Sequence, residues 1–269
     1  MNRPGQWIGT GRTDTGKVRP TNQDAFAVLN DCGVWIVADG MGGHPAGDVA
    51  ARMAVISVSE NARRRFGTTT IEARDCGRVL VDLIADANRE ILEQGEQRPV
   101  LRGMGTTIVA MLITSAPEPV AHIAHLGDSR AYVYRYGKLI QLTRDHTLVE
   151  EYLRTGSIDI HEAKAHPKRH VLTRALGIES DVQAEQVSMP LQNEDVFLLC
   201  SDGLTKMLSD EAITSILADT KDGVVDACDA LIDSSLEKGG EDNVTVVVCA
   251  RRVAPALEAR AIDNTSSAM

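Results

Sequence analysis

Aromatic side chains are scarce in this 269-residue chain, which has three phenylalanines, four tyrosines and two tryptophans. Proteins that bind single-stranded nucleic acid stack bases on aromatics set among basic residues, and no such interleaved groove is present. Positive charge is also short: 28 Lys and Arg face 38 Asp and Glu, for a net charge of −10. A broad nucleic-acid surface needs clustered cations to displace counterions, so no nucleic-acid partner is expected. The five cysteines (Cys32, Cys76, Cys200, Cys228, Cys249) form no CxxC or Cys/His cluster. Cys200 and Cys249 lie inside the apolar runs FLLCS and VTVVVCA, where cysteine behaves as a small hydrophobe. Neither structural zinc nor a disulfide framework is expected. No stretch reaches the roughly 18–20 apolar residues that span a bilayer. The opening MNRPGQWIGTGRTDTGKVRP lacks the apolar centre of a signal peptide. A cytoplasmic location without a membrane partner is the default expectation. No repeat or linker divides the chain, so one domain is expected.

What the chain does have is a succession of short apolar runs and two long amphipathic stretches. VWIVADG (34–40) reads as a buried strand ending in a glycine-rich turn. Helical character runs from Gly47 to about Phe66. A second helix near 71–95 places Leu80, Leu83, Ile84, Ala87 and Ile91 on one face. Strand-like runs follow at 106–114, 119–127, 130–137 and 138–143, with Gly137-Lys138 as a hairpin turn. Residues 144–175 are polar and rich in His and Arg, with one short helical signal at Leu148–Leu153. Two later strands, DVFLLCS (195–201) and NVTVVVCA (243–250), bracket helices near 210–217 and 223–236. The tail after about Pro255 reads as frayed. Strands in the middle with helices on either side predict sheets packed face to face with helices outside, an α+β arrangement rather than a doubly wound parallel sheet.

Four aspartates stand where strands run out: Asp39 in VADGMGG, Asp128 in LGDSR, Asp202 in LCSDGL and Asp242 in GEDNVTV. A fifth, Asp24 in NQDAFAV, directly precedes an apolar run. A strand end fixes the backbone, and a following glycine lets main-chain atoms approach a ligand closely. Separated carboxylates with a backbone carbonyl and water suit hard cations such as Mg²⁺ and Mn²⁺. Asp before Gly or Asn is also ordinary turn chemistry, an alternative that stands for any single acid and weakens for the set. Spacing alone leads to a carboxylate metal site and not to a substrate.

At these residues the chain resembles the PPM/PP2C family of metal-dependent protein phosphatases, in its bacterial form. The matching segments are GKVRPTNQDAF (16–26), VADGMGGHPAGDVA (37–50), GMGTTIVA (103–110), AHLGDSRAYVYR (124–135), LTRDHT (142–147), LTRALG (172–177), LLCSDGLT (198–205) and EDNVTVVV (241–248). They occur in the family's order and cover roughly residues 8–250. The resemblance implies a four-layer α-β-β-α sandwich over residues 1–253, a flap at about 144–175, and a tail at 254–269. It implies two core cations, Mn²⁺ or Mg²⁺, bridged by Asp39. The Gly40 carbonyl, Asp202 and Asp242 would be further ligands, and Asp24 would hold metal-bound water. Asp128 with Asp202 would form a third metal site. Arg19 matches the family's phosphate-binding arginine, suited to hold two phosphate oxygens at once. Met41 occupies the position where eukaryotic relatives place a histidine, and the bacterial pattern DGMGGH puts His44 nearby, as a candidate proton donor or, in the alternative, a structural loop residue or a holder of outer-shell water. Lys206 stands four residues after Asp202, where many members carry an acid, and is expected to weaken the third site. His146 is expected to position the flap, Met41 and Met104 to pack, and Asp195 to serve its turn.

The activity implied is hydrolysis of phosphoserine and phosphothreonine on proteins by a water activated between two cations. The partners implied are phosphorylated proteins and a cognate Ser/Thr kinase, with the chain a monomer. A two-metal nuclease could use similar carboxylates, but the acidic balance counts against it. A phosphoprotein-binding pseudophosphatase would be expected to have lost a core ligand, whereas Arg19, Asp39, Asp202 and Asp242 are all present.

Overall fold

Burial on both faces decides how the apolar runs are used. In the computed structural model, which describes residues 6–41, 46–68, 73–114, 119–218 and 223–251, ten strands form two five-stranded sheets whose neighbours are all antiparallel. One sheet has the order β2-β3-β4-β5-β8. Its strands are β2 (Asp24–Leu29), β3 (Val34–Asp39), β4 (Ile108–Thr114), β5 (Val120–Leu126) and β8 (Glu185–Pro190). The other has the order β1-β10-β9-β6-β7. It comprises β1 (Trp7–Asp14), β6 (Arg130–Arg135), β7 (Lys138–Gln141), β9 (Val196–Cys200) and β10 (Val244–Arg251).

Side chains alternate between the two faces of a strand. Along β3, Trp35 and Val37 join Val109, Met111, Ile123, Phe197, Leu199 and Val247 in a core between the sheets. Val34, Ile36 and Ala38 point the other way, onto α1 (Gly47–Thr68) and α2 (Ala73–Gln97). The second sheet repeats the pattern: Leu198, Cys200, Val246 and Val248 face a third core with Ile213, Leu231 and Ile232. That core is closed by α5 (Asp202–Met207), α6 (Asp210–Ala218) and α7 (Val224–Glu237). The four layers are therefore helices, sheet, sheet, helices, as the resemblance implies. Central strands must be apolar on both faces, which is why their sequences read as unbroken runs.

The structure adds β1, β8 and α5 to the elements expected from the sequence, and two further places differ. The β6–β7 register pairs Arg135 with Lys138, so the turn is Tyr136-Gly137, one residue earlier than expected. Both turn residues have positive φ (52° and 76°), the requirement of a tight type I′ hairpin. The polar segment contains α3 (Leu148–Arg154) and also α4 (Ile160–Ala165), the latter started by an Asp159–Glu162 capping box. The tail expected to fray lies outside the described residues.

Asp195 does serve its turn, accepting a hydrogen bond from the Gln192 N–H at 2.8 Å. It also receives the fork of Arg135, with Nε and Nη2 each at 2.6 Å, and its side chain is fully buried. It precedes β9, at the opposite end from the acids that follow β9 and precede β10. Removing Asp195 leaves the partly exposed Arg135 guanidinium and the Gln192 N–H without their acceptor, at a cost of about 1–3 kcal/mol. Asp195→Ala should therefore lower the Tm markedly while leaving Mn²⁺ affinity, measured by calorimetry, unchanged.

Candidate metal centre

Antiparallel pairing brings the acidic loops together. Asp24 opens β2 and Asp39 closes β3, and the register sets them directly opposite. Asp128 follows the end of β5, Asp202 follows β9, and Asp242 precedes β10. All five thus lie at one end of the sandwich. Like charges directly opposite on paired strands are destabilising unless something lies between them.

Hydroxyl groups fix the acids. Asp24 Oδ2 accepts from Ser201 Oγ and Thr245 Oγ1, both at 2.7 Å. Thr107 Oγ1 accepts from the Asp39 N–H at 3.0 Å and shares a 2.6 Å hydrogen bond with Ser129. Thr106 Oγ1 donates to the Asp39 carbonyl at 2.9 Å. Gly40 is needed for close approach, since a Cβ there would lie 2.2 Å from the Gly47 carbonyl oxygen. Asn243 ties down the loop that carries Arg19: its amide donates to the carbonyls of Thr15 and Thr21 at 2.8 and 2.9 Å. The sequence reading missed these supporting residues. Each lay inside a quoted motif, but Ser, Thr and Asn have too many ordinary loop roles to be singled out.

The electrostatics are those of a site built for cations. Burial, then the charges of Asp24, Asp202 and Asp128, raises Asp39 well above the usual carboxylate range. Asp128 is pushed up to about 8 by burial, then by Asp202 and Asp145. Asp24 rises to about 6, chiefly through burial, against the hydrogen bonds from Thr245 and Ser201. Its Oδ1 is buried without a donor among the described residues. Asp242 goes the other way: burial opposes its ionisation, but Lys206 and Arg19 outweigh that and hold it below its ordinary value. Crowded anionic oxygens, one of them orphaned, fit hard divalent cations. Asp39 lies within electrostatic reach of Asp24, Asp202 and Asp128, and Asp202 meets Asp242 across Lys206.

Arg19 lies on Asp242, with Nε 2.8 Å from Oδ1 and Nη2 3.0 Å from Oδ2. Lys206 does not single out Asp128. Its ammonium sits 2.5 Å from Asp202 Oδ2 and 2.8 Å from Asp242 Oδ2, on the pair that the resemblance gives to a core cation. His44 lies outside the described residues.

His146 holds the flap to the site. Its N–H donates to the Gly127 carbonyl at 3.0 Å, and the Thr173 N–H donates to its carbonyl at 2.8 Å. Arg130 reinforces the join by clasping Asp145 with Nε at 2.8 Å and Nη2 at 2.6 Å. His125, His146 and Glu185 bring their ligand atoms within 4.8 Å of one another. However, His146 Nδ1 accepts from the Gly127 N–H at 3.1 Å, which leaves the proton on Nε2, facing Glu185 at 3.3 Å. A ring so committed has no lone pair for a metal. Met104 packs in the core, as expected. Met41 packs over Gly105 and also lines a cavity of ≈ 520 Å³ with Leu126, Leu172, Arg174 and Ile178.

A carboxyl raised by folding keeps a proton that the unfolded chain releases, so its contribution to stability is lost as pH climbs through the folded pKa. His122, His125, His146 and His170 are lowered, mainly by burial, and act in the opposite sense below about pH 6.5. Asp39 and Asp128 therefore dominate between about pH 6.5 and 8. Protein stripped with EDTA should melt at a lower temperature at pH 8 than at pH 6.5. Mn²⁺ should raise the Tm more at pH 8, because protons and cations compete for the same oxygens. A melting temperature constant over this window would show that the acids do not crowd one another.

Comparison with known proteins agrees with this geometry. The family model described as protein phosphatase 2C matches residues 8–258. A serine/threonine phosphatase stp of Listeria monocytogenes is 40% identical over 243 residues, which span 89% of this chain and 94% of the relative. The Streptococcus agalactiae serine/threonine phosphatase superposes with a TM-score of 0.82 at 34% identity, over 91% of this chain and all of that one. The catalytic domain of the serine threonine protein phosphatase PstP, solved with two manganese ions, superposes with a TM-score of 0.77 at 34% identity, over 91% of this chain and 97% of its own. With the family's motifs, fold and convergent acids all in place, this chain belongs to the protein phosphatase 2C family.

Proposed function

We propose that the chain hydrolyses phosphoserine and phosphothreonine esters on proteins, with two divalent cations held by Asp39, the Gly40 carbonyl, Asp202 and Asp242. The observation that carries this reading is the meeting of Asp24 and Asp39, half-buried and directly opposite on β2 and β3, beside Asp202 and Asp128. When bound, such cations acidify a water for in-line attack and neutralise charge on the phosphoryl group. Asp24, fixed by Ser201 and Thr245, keeps one oxygen free to orient water. Asp128 with Asp202 would hold a third cation. Arg19, 43% exposed at its side chain, presents a planar fork that can hold two phosphoryl oxygens. His44 is the proton donor to the departing serine or threonine oxygen. The cavity lined by Met41 and Ile178 begins two residues from Asp39, so the chain flanking a phosphoresidue can lie along it.

We further propose that the enzyme acts as a monomer opposite a cognate Ser/Thr kinase in the cytoplasm. Four of the five cysteines are buried in apolar surroundings as small hydrophobes, which suits a reducing compartment. Mn²⁺ and Mg²⁺ both match the oxygen ligands, and the manganese in the PstP structure makes Mn²⁺ the first cation to test.

Purified protein with Mn²⁺ should release phosphate from p-nitrophenyl phosphate and from a phosphothreonine peptide. Asp39→Asn should lower turnover of both at least 10³-fold and weaken Mn²⁺ binding in parallel, whereas retained activity would refute the bridging role. His44→Ala separates the two substrates. A general acid contributes about 10²–10⁴-fold where the leaving group needs a proton. The peptide rate should thus fall about 100-fold while p-nitrophenyl phosphate, whose leaving group is good, is little affected. Equal losses on both would remove His44 from that role.

A further inference from the structure

The oxygens of Asp242 are fully engaged. Oδ1 accepts from Arg19 Nε at 2.8 Å and from the Asn243 N–H at 2.9 Å. Oδ2 accepts from Arg19 Nη2 at 3.0 Å and from Lys206 Nζ at 2.8 Å. A carboxylate offers about four lone-pair sites, so a cation can join Asp242 only if a donor leaves. The backbone N–H is fixed, and Arg19 holds both oxygens at once. Lys206 makes a single contact there, on a flexible stem.

Lys206 has a second anchor. It stands four residues after Asp202 on α5, and its ammonium reaches Asp202 Oδ2 at 2.5 Å. An acid preceding a lysine by four residues is the favourable order on a helix. The lysine side chain is 25% exposed, and those of Asp202 and Asp242 are 17% and 16% exposed, so water screens the pairing only in part. One ammonium thus bridges acids from two different strand ends, as a metal ion there would.

We infer that Lys206 is a tethered cation that closes Asp202 onto Asp242 in the metal-free protein and competes with divalent cations for that pair. The inference rests on the ligand assignment above but not on turnover. The lysine relieves repulsion among the acids before a metal arrives, which keeps the empty site folded. It must also give up one or both carboxylates on loading, which weakens the apparent metal affinity. The charge is what matters: a neutral residue of similar length should remove both effects, and arginine should keep them.

The test is calorimetric titration of Mn²⁺ into EDTA-stripped wild type, Lys206→Met and Lys206→Arg, with a melt of each stripped protein and no substrate present. Lys206→Met should bind Mn²⁺ about tenfold more tightly and melt at a lower temperature when stripped. Lys206→Arg should retain the wild-type affinity within about twofold. Unchanged or weaker binding by Lys206→Met would overturn the inference, as would tightening by Lys206→Arg equal to that of Lys206→Met. If stripped Lys206→Met does not fold, Lys206→Gln and Lys206→Arg decide the matter by the same comparison. If wild type itself takes up no Mn²⁺, the metal-centre reading fails first. Uptake of Mn²⁺ without a Lys206 effect leaves that reading intact and removes only this one.

Discussion

Repulsion among half-buried carboxylates governs this end of the molecule. Asp24 and Asp39 face each other across two paired strands, with Asp128 and Asp202 close enough to raise Asp39 further. In water at physiological salt such charges would be screened over about 8 Å, and at a half-buried strand end they are screened less. The chain has three means of tolerating them: protons on Asp39 and Asp128, the internal cations Lys206 and Arg19, and divalent metal. Protons favour Asp39 and Asp128 while Lys206 and Arg19 hold Asp202 and Asp242, and a cation that drew on both sets would link the proton, ammonium and metal equilibria.

Holding such acids in place demands a stiff frame, and the two sheets supply it. Strands buried on both faces lock against helices on one side and the facing sheet on the other. The acids stand within a residue or two of those strands, so little freedom separates the core from the site. Between acids and strands lies a layer of hydroxyls: Ser201 and Thr245 on Asp24, Thr106 and Thr107 on the Asp39 backbone, and Ser129 behind Thr107. Each settles one oxygen or N–H and leaves the rest of the acid aimed at the site.

The central strands were legible because burial on both faces writes itself as continuous apolar sequence: VWIVA, IVAMLIT, VFLLC and VTVVVC all became strands. Edge strands carry no such record. The β8 segment EQVSMP alternates between partly buried and exposed residues and joins the sheet through its pairing with β5. β1, with its glycines and charges, depends likewise on β10. Their strand character comes from a partner and not from their own composition. The five acids were legible as a set because each sits beside an apolar run. Where Lys206 reaches was not, because spacing fixes its place on α5 beside Asp202 but says nothing of Asp242, 36 residues further along.

The saturation of Asp242 has a consequence for the order of events under the proposed roles. Arg19 cannot hold a phosphate with its fork while the same fork grips Asp242. A cation drawn to Asp242 weakens that grip twice, by taking lone pairs and by cancelling the charge that attracts the guanidinium. Lys206 yields first, since it makes a single contact to Asp242 on a flexible stem, and its place on α5 keeps it near the site. Arg19 has no second anchor in its contacts with the acids, and its loop is pinned by Asn243 near the site. Loading the metal thus turns Arg19 from a structural partner of Asp242 into an available phosphate ligand. Because binding linkage is reciprocal, a phosphate drawn to Arg19 must in turn favour the metal at Asp242. Metal and substrate then help each other bind through one carboxylate.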